Sequence, residues 1–98
     1  MPHYVCLMHW TEQGVKNVAQ SVERADAART ALAAKGVTLK DLYWTAGAYD
    51  LVSIVEAPDD ATASAALLAL IGQGNLRTTT MRAFTAEEFG GILAKSAG

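Results

Sequence analysis

Residues 43–58, Tyr43-Trp44-Thr45-Ala46-Gly47-Ala48-Tyr49-Asp50-Leu51-Val52-Ser53-Ile54-Val55-Glu56-Ala57-Pro58, read as two strands joined by a tight turn. Aromatics stand before the turn and a β-branched run follows it, both suited to a pleated, half-buried surface. Gly47 supplies backbone freedom at the reversal, and Asp50 can accept from nearby amides where the second strand starts. Pro58 stops that strand, and Asp59-Asp60 opens a helix. The chain on either side of this hairpin reads as one strand-plus-helix unit.

Upstream, Tyr4 to Trp10 reads as the first strand. Its two faces are Tyr4, Cys6, Met8, Trp10 and His3, Val5, Leu7, His9; both are largely apolar, so cover on both sides is expected. Periodicity alone does not say which face meets helices. Thr11-Glu12-Gln13-Gly14 is a polar break, and Gly14 argues against a long helix from Thr11, leaving a helical turn over Val15–Val18. Ser21 is placed as an N-cap, with Val22, Ala25, Ala28, Leu32 and Ala33 at helical spacing and Gly36 ending the helix. Val37–Ala46 is the second strand and Asp50–Ala57 the third.

Downstream, Ala61–Ile71 forms the second long helix, with Leu67, Leu70 and Ile71 as its heavy stripe. Leu76–Phe84 is the fourth strand, alternating Thr78, Thr80, Arg82 against Arg77, Thr79, Met81, Ala83. Thr85-Ala86-Glu87-Glu88 spells a capping box for a short last helix carrying Phe89, Ile92 and Leu93. Gly90-Gly91 weakens that helix, which is expected to lean on the body or on a neighbour. The order is β-α-β-β-α-β plus a last helix: an α+β, ferredoxin-like four-stranded antiparallel sheet in one domain over residues 1–98. Two helices cover one face of such a sheet. The other face is then solvated or paired with a second sheet, and apolar side chains on both faces favour pairing.

Composition points the same way. A chain of 98 residues buries only about 60–65% of its unfolded surface. Its 51% hydrophobic and 18% charged residues imply that a second subunit covers some apolar surface. A net charge of −2 offers no attraction to nucleic acid or to an anionic membrane. Cys6 is the sole cysteine, which excludes an internal disulfide and multi-cysteine metal sites. No secretory signal or spanning segment is evident, so a cytoplasmic location is expected.

Together Thr11-Glu12-Gln13-Gly14, Tyr43-Trp44-Thr45, Gly47-Ala48-Tyr49-Asp50, Glu56-Ala57-Pro58-Asp59-Asp60 and Leu76-Arg77-Thr78-Thr79-Thr80-Met81-Arg82-Ala83-Phe84 resemble the GYD-domain family, from Tyr4 to Leu93. The resemblance implies a dimeric α+β barrel, in which two ferredoxin-like sheets pack face to face. Gly47-x-Tyr49-Asp50 and Arg77-Thr78-x-Thr80 also resemble the ligand-binding domain of Lrp/AsnC regulators. The helix-turn-helix pattern of those regulators is missing here, so DNA binding does not carry over. The family resemblance fixes the fold more than the activity.

Each chemical candidate has a plainer alternative. His3 and His9 share a strand face roughly 20 Å apart, too far for one metal ion, and His9 reads as a partly exposed residue near a cleft mouth. Trp10, Tyr43, Trp44 and Tyr49 line either an aromatic cleft or an intersubunit interface. Tyr49 and Asp50 offer a phenol and a carboxylate for acid–base work, with a structural turn as the favoured reading. Thr78, Thr80 and Arg82 form either an anion-binding lining, Arg82 meeting a carboxylate, or an ordinary polar edge; the resemblance leans towards the lining. Cys6 is a small buried apolar residue. No metal or cofactor is expected, and no nucleophile triad or phosphate loop is present.

The expected protein is a homodimer or larger homo-oligomer serving as a small-molecule-binding or interaction module. His9, Trp44, Tyr49, Asp50, Thr78, Thr80 and Arg82 are its candidate ligand residues, gathered at a cleft between helix-free sheet faces. The alternative is a cofactor-independent oxygenase-like or isomerase-like enzyme using the same cleft.

Overall fold

The computed structural model describes residues 1–98. Its elements run β1 (His3–Trp10), α1 (Glu12–Lys16), a 3₁₀ turn (Val18–Gln20), α2 (Ser21–Ala34), β2 (Thr38–Trp44), β3 (Leu51–Glu56), α3 (Asp60–Ile71), β4 (Leu76–Ala83) and α4 (Ala86–Ala97). The strands form one antiparallel sheet in the order β2-β3-β1-β4. This is the α+β, ferredoxin-like arrangement expected from the element order.

Register decides what each side of the sheet carries. Cys6 lies opposite Ser53 on one flank and opposite Thr80 on the other. Directly opposed residues share a face. Tyr4, Cys6 and Met8 therefore share a side with Leu51, Ser53 and Val55 and with Thr78, Thr80 and Arg82. That side faces α2 and α3, which cover it with Leu32, Ala63, Ala66 and Leu67; this is the core. The opposite side carries Val5, Leu7, Val52, Ile54 and Met81, and no helix covers it.

Several local expectations change. The helical turn expected over Val15–Val18 lies earlier, as α1, N-capped by Thr11, whose hydroxyl accepts the Gly14 N–H at 3.1 Å. Gly14 sits inside that helix because nothing larger fits: a Cβ would lie 2.1 Å from the Asn75 carbonyl oxygen. Ser21 is the first helical residue of α2 rather than its cap, and its Oγ accepts the Trp44 indole N–H at 2.8 Å. Val22, expected on the buried stripe of α2, faces solvent. Lys35 caps α2, and Gly36 follows in the left-handed region at φ 83°, where only glycine is unstrained.

The hairpin is looser than a tight turn. β2 ends at Trp44 and β3 begins at Leu51, and the Thr45 N–H donates to the Asp50 carbonyl at 2.8 Å to close the loop between them. Asp50, expected as the first residue of the third strand, precedes it and also bonds to β1, its N–H donating to the Met8 carbonyl at 2.9 Å. A register shift between Leu39 and Asp41 marks a bulge in β2 that keeps both Leu39 and Leu42 on the core side. No helix is long and apolar enough to cross a membrane.

Candidate functional site

The seven candidate residues fall in three places rather than one cleft. Strand parity separates them: Thr78, Thr80, Arg82 and Trp44 project from the helix side, whereas His9 projects from the open side. The expected lining that joined them at the helix-free face is corrected accordingly.

The first place is the end of the open face. The His9 and Tyr49 rings stack at 4.7 Å, tilted by 34°. His9 Nδ1 lies 3.9 Å from Asp50 Oδ2, beyond hydrogen-bond reach. The same Asp50 oxygen accepts the Trp10 backbone N–H at 3.0 Å. Asp50 thus serves a backbone amide, as the structural reading expected, but the amide belongs to β1 and not to the hairpin.

The second place is a groove between α3 and the edge strand β4. Tyr4, Ala63, Ser64, Leu67, Leu68 and Ile71 line it together with Thr78, Thr80, Asp60 and Arg82. The Thr78 and Thr80 hydroxyls share a hydrogen bond at 3.0 Å, and the Thr80 hydroxyl reaches the Cys6 sulfur at 3.8 Å. Burial pushes the Cys6 thiol up. The Tyr4 hydroxyl donates to Asp60, and that bond holds the Tyr4 phenol above its ordinary range.

Arg82 has two carboxylates beside it. Its guanidinium lies 4.0 Å from Asp60 and 3.8 Å from Glu88, donates to the Ala83 carbonyl, and sits 4.6 Å over the Phe84 ring. It stands between the first turns of α3 and α4. Sequence patterning put the three β4 residues on one side correctly, but the carboxylates that occupy Arg82 come from two helices.

The third place is a crevice over the sheet where α2 and α3 stand apart. Met8, Trp10, Leu32, Leu42, Leu67 and Leu76 are among its walls, with Ser21, Ser53 and Asn75 as polar members. Trp44 closes over α2 through its bond to Ser21. The buried indole Nε1 of Trp10 has no hydrogen-bond partner. No residue pattern announces this crevice, since it depends on the spacing of the two helices.

The open sheet face carries the widest feature. Val5, Leu7, Val52 and Ile54 lie half-buried across β1 and β3, with Met81 on β4 and Tyr43 on β2 flanking them at 45% and 64% exposure. Charged groups rim it. His3 Nε2 meets Glu56 at 2.8 Å and Lys40 Nζ meets Glu56 at 3.5 Å at one end; His9 and Arg77 stand opposed at the other. An enclosed pocket holding His9 or Tyr49 within hydrogen-bond reach of Arg82 or Asp50 would favour catalysis. Arg82 projects from the other side of the sheet, and neither of the two main cavities is lined by His9, Tyr49 or Asp50.

Known proteins share this architecture. A family model described as GYD domain matches residues 4–93. A relative from Thermus thermophilus, the glutamine synthetase and cystathionine beta-lyase binding protein, is 33% identical over 84 residues, covering 85% of this chain and 88% of that protein. The crystal structure of TTHA0845, also from Thermus thermophilus, superposes with a TM-score of 0.58 at 23% identity, covering 88% of this chain and 96% of that one. That of FFRP-DM1 gives 0.57 at 22% identity, covering 86% and 100%. At those identities the two structures bear on the fold alone.

Proposed function

The chain belongs to the GYD-domain family, and from that premise we propose that it is a homo-oligomeric interaction module that works by binding other proteins. The observation that carries the reading is the uncovered sheet face. An apolar centre of Val5, Leu7, Val52, Ile54 and Met81 inside a charged rim has the anatomy of a protein interface. Each square ångström of apolar surface removed from water contributes about 25 cal/mol, which favours cover over solvation. A second copy offers the same face, so the smallest unit in this reading is a pair of sheets packed face to face.

The name of the Thermus relative supports protein partners, since that protein is described as binding two metabolic enzymes. In this reading the assembly is cytoplasmic, and the net charge of −2 on each chain gives it no pull towards nucleic acid or membrane. The test is surface plasmon resonance with glutamine synthetase and cystathionine beta-lyase from the organism that makes this chain. Saturable binding to either is the expected result; no binding to either would contradict a shared partner class.

A second reading, small-molecule binding, is favoured by one feature. The α2–α3 crevice is apolar and holds the unpartnered Trp10 indole N–H, a donor suited to a small apolar ligand with one acceptor. Benzaldehyde and acetophenone, each with one carbonyl acceptor, are suitable probes for calorimetry. Displacement of their binding by Ala28→Trp, which fills the crevice, is the expected result if the crevice is a site.

A further inference from the structure

The sheet-to-sheet pairing proposed above would leave two features unused, α4 and the α3–β4 groove. α4 presents Phe89, Ile92 and Leu93 on one side, at 48%, 36% and 54% exposure. Its base is held by the Thr85–Glu88 capping box, with Arg82 approaching Glu88 at 3.8 Å. The molecule is correspondingly drawn out to 52 × 31 × 18 Å. Its radius of gyration, 14.8 Å, exceeds the roughly 12–13 Å of a compact chain of this length. A lone 12-residue helix containing Gly90-Gly91 is marginal in water. It needs cover.

The groove needs cover too. Its α3 wall carries no charged residue after Asp60, and Leu68 stands 67% exposed on it. A helix that is apolar nearly all round is one that packs on both sides. We propose that α4 of one copy docks in the α3–β4 groove of a second copy, setting Phe89, Ile92 and Leu93 against Leu67, Leu68 and Ile71. Donor and acceptor occur once on every chain, so a two-fold pair satisfies both and closes.

Charge selects a second copy over the chain's own groove. Arg82 bridges Asp60 in the first turn of α3 and Glu88 in the first turn of α4, so the two helix N-termini are neighbours within one chain. Folding α4 back onto its own α3 would run the helices parallel. The helix dipoles would then be aligned, and Lys95 would lie at the far end from Asp59 and Asp60. A second copy can enter antiparallel, bringing Lys95 to Asp59 and Asp60 and moving Glu87 to the uncharged end.

Cysteine cross-linking tests this, because Cys6 is fully buried and both probe positions, Ser64 and Leu93, are exposed. Isotopically labelled Ser64→Cys chains are mixed with unlabelled Leu93→Cys chains and oxidised, and the disulfide is mapped by mass spectrometry. A 64–93 bond joining labelled to unlabelled chains is expected, and it should fall about tenfold when Ile92→Asp is added to the Leu93→Cys chain. The groove opens away from the helix-free face, so Ile54→Lys on that face should leave the cross-link intact; loss of sheet pairing therefore does not mimic failure here. No 64–93 bond between chains, or a doubly substituted chain that closes on itself, would overturn the proposal. So would α4 being held by a different protein, which would leave the groove free.

Discussion

Asp50 holds the end of β1: its Oδ2 accepts the Trp10 backbone N–H at 3.0 Å while its own N–H donates to the Met8 carbonyl at 2.9 Å. A carboxylate committed to an amide is a brace between strands. Asp50→Asn keeps an acceptor oxygen and should cost about 1 kcal/mol, whereas Asp50→Ala leaves the amide unpaired and should cost about 1–2 kcal/mol. Thermal melts should therefore order wild type above Asn above Ala. Identical melts for all three would refute the structural role.

Gly14 and Gly90 should respond oppositely to alanine. A Cβ at Gly14 meets the Asn75 carbonyl oxygen at 2.1 Å, against the very group that accepts the Thr11 N–H at 3.0 Å. Overpacking of that kind costs about 1–3 kcal/mol and outweighs the gain in helix propensity, about 1 kcal/mol. At Gly90 an added Cβ meets nothing within 4 Å, so Gly90→Ala should stabilise α4 by about 0.5–1 kcal/mol. Paired denaturant titrations check both signs.

The pH dependence of α4 follows from Glu88. Its carboxylate accepts the Thr85 N–H at 2.9 Å, and this bond, with nearby Arg82 adding, holds the Glu88 carboxyl below its ordinary range. A folded pKa below the unfolded one contributes stability that is full above the ordinary glutamate range. That contribution is lost as pH falls through the lowered value. Amide NMR should show the Thr85 N–H shifting upfield as acid protonates Glu88, with α4 fraying in step. Glu88→Gln should weaken that response.

The capping box at Thr85, the element order and the alternation of Thr78, Thr80 and Arg82 were legible because each depends on neighbours a few residues apart. What escaped depends on pairing across the sheet. Only the register that sets Cys6 opposite Thr80 puts the β4 trio on the helix side, away from His9. Ser21 reads as a cap by residue type, yet Trp44, distant in sequence, claims its hydroxyl. Gly14 reads as a helix breaker until Asn75 is seen against it. In the same way Arg82 reads as a free cation, because Asp60 and Glu88 are brought to it by separate helices.

Whether the helix-free sheet face is an interface between copies is tested most directly by sedimentation equilibrium at micromolar concentration, on wild type and on Ile54→Lys. Ile54 lies mid-face, opposite Val5 on β1 and Asp41 on β2. A lysine there should leave the core side untouched while placing a charge in the apolar centre. The expected result is a dimer or larger assembly for wild type and a smaller species, with unchanged far-ultraviolet circular dichroism, for the variant. A wild-type protein that sediments as a stable monomer would contradict it.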